Sequence, residues 1–162
     1  MKSLPKRSTL LFLLKDSEIL LAMKKRGFGA GRWNGVGGKS EANETIVQTA
    51  IRECQEEIGV KPVRLQHVAT LNFYFPKSKS DWDQQVSVFT SYKWQGEPTE
   101  TEEMKPAWFS INTIPYDAMW PDDIIWLPEI LSGKLLEAEF TFDDTDAVVK
   151  HKLVIRPHLS DN

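Results

Sequence analysis

The sequence predicts a layered fold of the α/β or α+β class around one sheet, on the basis of two observations. Apolar runs with strand character recur along the chain, and one long and one shorter segment between them have helical periodicity. The length of 162 residues is enough for one domain with a real core and short for two. We therefore expect a single domain over residues 1–162.

The chain begins with a predicted hairpin followed by a glycine-rich loop. Residues 9–15 and 18–23 are apolar, strand-like runs, and the turn that starts at Asp16 suits a tight connection. Residues 26–33 read R-G-F-G-A-G-R-W, but no helical pattern opens directly after the glycines, so this is not a dinucleotide-binding fingerprint. We interpret it as a mobile loop beside a binding site, with a flexible surface connector as the alternative. A short strand is predicted at residues 33–36.

A long helix is predicted from its end signals and its apolar spacing. Thr45 can cap its start, Gln48 can complete a capping box, and Gly59 can end it in a left-handed conformation. The apolar stripe expected to pack on the sheet comprises Val47, Ala50, Ile51, Cys54 and Ile58.

The second half of the chain supplies further strands and one short helix. A polar loop, K-S-K-S-D-W-D, separates the first two strand candidates, and Pro121 precedes the helix. The last two candidates alternate polar and apolar residues and are expected to form a late hairpin. The predicted strands are residues 68–75, 86–94, 107–111, 137–142 and 148–155, and the predicted helix is residues 124–131.

Composition and charge argue against several classes of protein. The formal net charge is −3 and there is no basic tract, which argues against a nucleic-acid polymer as the ligand. A single cysteine, Cys54, excludes an internal disulfide and fits a reducing compartment. The apolar run at residues 10–14 is too short for a signal sequence and is interpreted as a strand, and no run reaches transmembrane length. We therefore expect a cytoplasmic protein.

The long helix concentrates acidic residues. Glu53, Glu56 and Glu57 stand at spacings i, i+3 and i+4, and Glu44 lies just before the helix. Like charges at this spacing repel each other, and a divalent cation that prefers carboxylate oxygen would remove the repulsion. We expect the three helical glutamates on the face roughly opposite Ala50. The pattern predicts a magnesium-dependent site that acts on phosphates, and the alternative is a solvated acidic helix face.

The segment from Gly38 to Val60 resembles the Nudix box, G-x5-E-x7-R-E-U-x-E-E-x-G-U, in which U is a bulky aliphatic residue. Every fixed position matches, and the one departure is Cys54 at a U position. The flanking stretches M-K-K-R-G-F-G-A-G-R-W-N-G-V-G-G-K and M-W-P-D-D resemble the animal-type MutT homologues. The fixed residues of the box are Gly38, Glu44, Arg52, Glu53, Glu56, Glu57 and Gly59.

This resemblance implies the Nudix fold, an α/β arrangement in which a mixed sheet is sandwiched between helices. It also implies hydrolysis of oxidised purine nucleoside triphosphates, such as 8-oxo-dGTP and 2-hydroxy-dATP, to the monophosphate and pyrophosphate, which cleans the nucleotide pool. One alternative is another nucleotide substrate: a normal or methylated dNTP or a nucleotide sugar. Another is a non-catalytic nucleotide-binding domain. The expected partner is a small nucleotide bound by a monomer, without a nucleic-acid polymer or a membrane.

The resemblance also assigns the chemistry of the acidic helix. It implies Mg²⁺, with Mn²⁺ as an alternative. Glu103, in T-E-E-M-K-P, matches a further acidic position near the metal, or is simply an exposed loop acid. The group that orients the attacking water is open among Glu56, Glu57 and Glu103, while Arg52 and Glu44 are expected to form a structural ion pair. The implied metal ligands are the Gly37 carbonyl, Glu53, Glu56, Glu57 and Glu103.

The base pocket is expected outside the box. By resemblance it contains Asn34, Asp122 and Asp123. Two adjacent buried acids should not both ionise, so the pKa of at least one is expected to be raised, and the pair can then offer a donor or an acceptor to a purine edge. This is a route to accepting both 8-oxo-guanine and 2-hydroxy-adenine. The alternative is that Asp122 or Asp123 only caps the following helix.

Aromatic and polar residues are expected to complete this pocket. Trp120 and Phe28 are expected to be stacking walls, by resemblance and because aromatic faces suit flat heterocycles. Phe73, Met104 and Trp126 either line the same cavity or belong to the ordinary core. The positions that match further substrate contacts are Thr9, Gly37, Gly38 and Lys24, the last with a surface role as its alternative.

Overall fold

The computed structural model describes residues 5–159, so residues 1–4 and 160–162 of the predicted domain lie outside the description. Within the described range, no helix is long and apolar enough to cross a membrane. The strands are β1 (Lys6–Lys15), β2 (Glu18–Lys24), β3 (Trp33–Asn34), β4 (Lys61–Val63), β5 (Gln66–Tyr74), β6 (Gln84–Ser91), β7 (Lys93–Gln95), β8 (Met104–Ser110), β9 (Leu135–Phe142) and β10 (Val148–Arg156). The helices are α1 (Ile46–Ile58) and α2 (Asp123–Leu131), with short 3-10 segments at Lys77–Trp82 and Tyr116–Ala118.

The strands form the mixed sheet that the sequence predicts. Its order is β10-β9-β5-β6-β1-β2-β3, and β8 also pairs with β2. The pairs β1–β6 and β5–β9 are parallel, whereas β1–β2, β5–β6 and the late hairpin β9–β10 are antiparallel. β4 and β7 form a separate antiparallel pair.

Hydrophobic clusters cover both faces of this sheet. Successive side chains of a strand point to opposite faces, and β1 follows this rule closely. Phe12 and Leu14 join the cluster that contains Trp126 of α2, whereas Leu11 and Leu13 join the cluster that contains the apolar face of α1. The predicted layering of helix, sheet and helix is therefore confirmed.

Helix α1 has the predicted ends but a different buried face. The Thr45 hydroxyl accepts a hydrogen bond from the Gln48 N–H at 3.1 Å, the Gln48 side chain accepts one from the Thr45 N–H, and Gly59 has φ 72°. The prediction that Val47 packs on the sheet is wrong, because this residue is 41% exposed. Ile46 is buried in its place, one helical turn before the buried Ala50.

The predicted face of Glu57 is also wrong. Seven residues of an α-helix fall only about 20° short of two full turns, so Glu57 shares the direction of Ala50 instead of opposing it. The structure buries Glu57 on this face together with Ala50 and Cys54.

Two other segments differ from their predictions because of contacts that are distant in sequence. The predicted strand 86–94 is divided between β6 and β7, since the Ser91 hydroxyl donates to the Val63 and Lys93 carbonyls at 2.8 Å and turns the chain toward β4. The predicted polar loop after β5 contains the kinked 3-10 segment Lys77–Trp82.

A gap between β1 and β2 creates room for a site. The paired positions of β1 and β2 lie at the turn, where Leu14 faces Ile19. Farther along β1, the segment after β3 takes the place of β2: the Leu11 N–H donates to the Val36 carbonyl at 2.6 Å, and the Thr9 N–H donates to the Gly38 carbonyl at 2.9 Å. The diverging strands leave a cleft that runs from the start of α2 to the C-terminal half of α1.

Candidate active site

A pocket of about 270 Å³ lies in this cleft. It is lined by all twelve residues that the sequence resemblance assigns to substrate binding, and these come from strands, loops and helix starts far apart in the chain. Their roles in binding stay predictions. The twelve are Thr9, Lys24, Phe28, Asn34, Gly37, Gly38, Phe73, Met104, Trp120, Asp122, Asp123 and Trp126.

The lining also includes side chains that sequence reasoning missed. Arg32 ends the glycine-rich loop, and the interpretation of that loop as part of a binding site could have drawn attention to its cation. The other missed residues belong to strands or to the ends of strands. Alternation of polar and apolar residues predicts which strand positions are buried, but it does not predict which of them line a cavity. They include Ser8, Phe75, Gln84 and Phe142.

Glu57 forms the acidic end of the pocket. Its Oε2 atom is buried without a hydrogen-bond partner, and its carboxyl group receives a hydrogen bond from the Gly37 backbone. Burial, and then the neighbouring charge of Glu53, raises the pKa of Glu57 to about 8. The ammonium of Lys24, which also lines the pocket, acts in the opposite direction. A cation arriving at this end would therefore favour the ionised form of Glu57.

Two glycines let the backbone fit between β1 and the acidic helix. A Cβ atom at Gly37 would lie 1.9 Å from the carbonyl oxygen of Thr9. A Cβ atom at Gly38 would lie 2.5 Å from the carboxyl carbon of Glu53. Position 37 therefore needs glycine for space, because the clash is with the backbone of β1, whereas at position 38 an added Cβ would only push the Glu53 carboxyl group away from the loop.

The backbone of Gly37 faces the acidic end of the pocket. The carbonyls on either side of it, from Val36 and Gly38, both accept hydrogen bonds from β1. In an extended chain, successive residues direct their backbone groups to opposite sides. The Gly37 N–H and C=O are therefore expected to point away from β1, and the Gly37 backbone makes its hydrogen bond to Glu57. That the Gly37 carbonyl binds a metal stays a prediction.

Glu56 and Glu103, like Glu53, do not line the pocket. The carboxylate of Glu56 is 3.3 Å from a guanidinium nitrogen of Arg52, and that of Glu103 is 3.3 Å from one of Arg26. Both side chains are 58% exposed. In residues 5–159, no group of three or more His, Cys, Asp or Glu side chains is arranged to hold a metal. The metal-binding and catalytic roles of Glu53, Glu56, Glu57 and Glu103 stay predictions.

The residues at the acidic end nevertheless fit a hard divalent cation. Glu57 offers a buried carboxylate oxygen that no protein group satisfies, and Glu53 lies close enough to raise its pKa. The Gly37 carbonyl adds a neutral oxygen. Carboxylate and carbonyl oxygens are the donors that such cations prefer, and an added positive charge would offset the repulsion between the two acids.

Arg52 holds the loop before α1 in place, as the sequence predicts. Its Nε atom is 2.7 Å from the Glu44 carboxylate, and one terminal nitrogen donates to the Lys39 carbonyl at 3.0 Å. Glu44 also accepts hydrogen bonds from the Thr49 hydroxyl and the Glu41 N–H. The hydrogen bond from Arg52 is the main cause that lowers the pKa of Glu44 to about 2.

The substitution Glu44→Gln is expected to weaken the dependence of stability on acid pH. Because the folded pKa of Glu44 is depressed to about 2, its stabilising contribution is present above its ordinary value of 4.5 and is lost as the pH falls toward 2. The thermal midpoint of the wild type should fall more steeply over this range than that of Glu44→Gln. Glu129→Gln, which removes the pair with Lys134, is the control. Parallel curves for all three proteins would contradict the expectation.

At the opposite end of the pocket, Asp122 and Asp123 are buried side by side. Asp122 accepts a hydrogen bond from the indole N–H of Trp126 at 2.7 Å and makes no side-chain capping bond, so the capping interpretation is wrong for this residue. Burial raises the pKa of Asp122 to about 6. Burial, and then the charge of Asp122, raises the pKa of Asp123 well above its ordinary value. The Oδ2 atom of Asp123 has no partner, so this end of the pocket offers an unsatisfied polar group.

Trp120 lies next to the aspartates in the chain, and the guanidinium of Arg32 packs over its ring. The guanidinium of Arg32 lies 4.0 Å from the ring centroid, and its Nη1 atom is buried without a hydrogen-bond partner. Phe28 packs on Trp120 with ring centroids 4.9 Å apart. The charge of Arg32 also lowers the pKa of both aspartates, although burial outweighs it. The pocket thus joins an acidic end to a flat aromatic end with mixed polar groups.

A family model agrees with this arrangement. The model of the NUDIX domain matches residues 4–130, which include α1, the glycine-rich loop and the start of α2. The chain belongs to the Nudix family. Nudix hydrolases generally use divalent metal ions, in keeping with the donor set at Glu57.

Named relatives resemble this Nudix chain over most of its length. The oxidized purine nucleoside triphosphate hydrolases of Danio rerio and Mus musculus are each 43% identical over 145 residues, covering 90% of this chain and 92% of each relative. A crystal structure of the MutT protein from Bacillus halodurans matches with a TM-score of 0.79 at 24% identity, covering 91% of this chain and 97% of the other. This structural likeness supports the fold.

Proposed function

We propose that this Nudix chain hydrolyses oxidised purine nucleoside triphosphates, of the 8-oxo-dGTP and 2-hydroxy-dATP type, to the monophosphate and pyrophosphate. One observation carries the proposal. The buried side-chain atoms without a partner in the described residues all belong to residues that line the pocket. Unpaired buried polar groups are costly, so their concentration in one cavity indicates a ligand that satisfies them. They are Thr9 Oγ1, Arg32 Nη1, Glu57 Oε2 and Asp123 Oδ2.

The relatives support the class of substrate. The zebrafish and mouse proteins that are 43% identical over 90% of this chain carry the name oxidized purine nucleoside triphosphate hydrolase. The residues that line the pocket are compatible with such a substrate, because the acidic and aromatic ends match a metal-bound phosphate chain and a flat base.

The acidic end would bind the phosphate chain. Glu57 and Glu53, with the Gly37 carbonyl, would hold a divalent cation, proposed to be Mg²⁺ with Mn²⁺ as an alternative. When bound, this ion would neutralise charge on the phosphates and lower the pKa of a water bound to it. Lys24 contributes a fixed positive charge beside Glu57. Glycine at positions 37 and 38 keeps the backbone close to both β1 and Glu53.

The aromatic end would select the base. Trp120 offers a ring for stacking, and Asn34, whose Oδ1 accepts from the Gly35 N–H at 2.9 Å, has its amide nitrogen available to donate. Asp122 and Asp123 hold protons more tightly than ordinary aspartates, so the pair can present both a donor and an acceptor. An oxidised purine differs from the normal base in the donors and acceptors of its edges, which such a pair can distinguish.

The catalytic preference between 8-oxo-dGTP and 2-hydroxy-dATP is expected to change with pH. As the pH falls through the raised pKa values, the aspartate pair gains a proton and converts an acceptor into a donor. The ratio of the two kcat/KM values should therefore move as the pH falls through about 6, the raised pKa of Asp122. The variant Asp123→Asn should flatten this ratio, whereas the surface variant Asp117→Asn should retain it. A wild-type ratio that stays constant would contradict a shared proton.

We also propose that the chain acts as a cytoplasmic monomer on free nucleotides and not on a nucleic-acid polymer. The support is the net charge of −3, the absence of a basic tract and the single buried cysteine. Sedimentation at working concentration tests the monomer, and a dimer would overturn it.

The reaction is tested by its products. Incubation of 8-oxo-dGTP with the protein and Mg²⁺ should release 8-oxo-dGMP and pyrophosphate in equal amounts, and a chelator should stop the release. Inorganic phosphate in place of pyrophosphate would contradict cleavage at the α–β linkage. Binding without turnover of any nucleotide would favour a non-catalytic domain.

A further inference from the structure

Trp82 completes a closed ring of aromatic side chains at the rim of the pocket. It contacts Phe28 edge-on, with an interplanar angle of 79°, and Phe28 packs on Trp120 at 4.9 Å between ring centroids. On its other side Trp82 lies 6.2 Å from Phe75, which stacks on Phe142 at 5.0 Å. Phe142 closes the ring with an edge contact to Trp120 at 6.2 Å.

Within this ring, Trp82 is the residue that does not itself line the pocket. Trp82 contacts the pocket lining at Phe28. Phe28 lies between Gly27 and Gly29, which both have positive φ. Turn hydrogen bonds, such as that from the Ala30 N–H to the Gly27 carbonyl at 3.1 Å, shape the backbone of this loop, and the rings packed against Phe28 hold its side chain. Phe28 and Trp82 are each 39% exposed, so their contact lies at the outer edge of the pocket lining.

The segment that carries Trp82 is fixed on both sides. Before it, the Lys79 ammonium lies 3.8 Å from the Asp146 carboxylate and donates to the Asp144 carbonyl at 3.4 Å, which ties the segment to the turn between β9 and β10. After it, the Asp83 carboxylate accepts a hydrogen bond from the Phe75 N–H at 2.7 Å. These bonds hold the segment in a position in which the Trp82 indole contacts Phe28 and Phe75.

We infer that Trp82 is a positioning residue for the base: by holding Phe28 against Trp120, it sets how tightly the pocket binds the nucleotide. The identity of the base rests on the proposed function, but the mechanical role of Trp82 does not. Because Trp82 touches neither the acidic end nor the phosphates, its loss should change binding and leave the chemical step intact. An aromatic replacement should preserve most of the effect, because the edge contact with Phe28 depends on ring geometry.

The test measures KM and kcat for Trp82→Ala and Trp82→Phe. The control is Tyr92→Ala, which removes an aromatic side chain that is 68% exposed. For Trp82→Ala we expect KM for 8-oxo-dGTP to rise about tenfold with kcat within about twofold of the wild type. For Trp82→Phe we expect a KM within about threefold of the wild type, and for Tyr92→Ala no change.

Two results would contradict a positioning role for Trp82. An unchanged KM in Trp82→Ala overturns it, as does a loss of kcat at constant KM, which is the signature of a merely structural role. If Trp82→Ala does not fold, Trp82→Leu carries the same expectation, because it keeps apolar volume without a ring. If the wild type prefers a different nucleotide, the proposed function fails, and the same variants are measured on that nucleotide.

Discussion

Replacing Glu57 with Gln is expected to lower kcat by about a thousandfold in the presence of Mg²⁺. Glutamine keeps the size of the side chain and can still accept the hydrogen bond from Gly37, but it cannot carry the negative charge that a divalent cation requires. Because the buried Oε2 atom has no protein partner, the neutral variant should fold as well as the wild type. The measurement is steady-state turnover of 8-oxo-dGTP at saturating Mg²⁺.

The same variant should change how stability depends on pH in the presence of a chelator. The folded pKa of Glu57 is raised to about 8 from an ordinary 4.5, so the folded state binds this proton more tightly than the unfolded chain. Its stabilising contribution is therefore complete below 4.5 and is lost as the pH rises through 8. The thermal midpoint of the wild type should fall with rising pH in this window more than that of Glu57→Gln.

Glu139→Gln is the matched control, since Glu139 is an exposed carboxylate on β9, outside the pocket. It should retain wild-type turnover and the wild-type dependence of stability on pH. Near-normal kcat in Glu57→Gln would contradict the assignment of Glu57 as a metal ligand. Wild-type kcat together with a flattened pH dependence would mean that Glu57 is buried as the structure shows but has no role in the reaction.

Gly37→Ala is expected to cost about 3 kcal/mol of stability and to abolish most activity. The added Cβ would lie 1.9 Å from the Thr9 carbonyl oxygen, which belongs to the central strand β1 and cannot move without disturbing the sheet. The loop must therefore shift away from β1, and the Gly37 carbonyl moves with it. Chemical denaturation measures the first effect, and kcat/KM measures the second.

Gly133→Ala separates this steric effect from the general cost of replacing a glycine. Gly133 has φ 92° and open space around it, so alanine there should cost only about 1 kcal/mol in backbone strain and leave kcat/KM unchanged. If Gly37→Ala were as mild as Gly133→Ala, the close approach of the loop to β1 would not matter for the site.

The sequence predicts best those elements whose ends are set by residues close together in the chain. Helix α1 begins and ends where Thr45, Gln48 and Gly59 require, because a capping box and a left-handed glycine act within a few residues. The division of β6 from β7 was not predictable, since it depends on a hydroxyl of Ser91 that reaches the Val63 carbonyl.

The candidate site could be predicted only in part, for a similar reason. The resemblance to a known family named the twelve residues that meet in the pocket, whereas periodicity alone would have assigned several of them to the core. Arg32 and Trp82 were missed because their roles depend on Trp120 and Phe28, which approach them from other parts of the chain. The buried position of Glu57 was predictable in principle from helical geometry, since it follows Ala50 by seven residues.

The ratio of kcat/KM for 8-oxo-dGTP to that for dGTP is the most direct test of whether the pocket selects an oxidised purine. With Mg²⁺ near neutral pH, the ratio should be at least about tenfold in favour of 8-oxo-dGTP, because the aspartate pair and Asn34 would pair with the altered edge. Equal values, or a preference for dGTP, would contradict this selectivity.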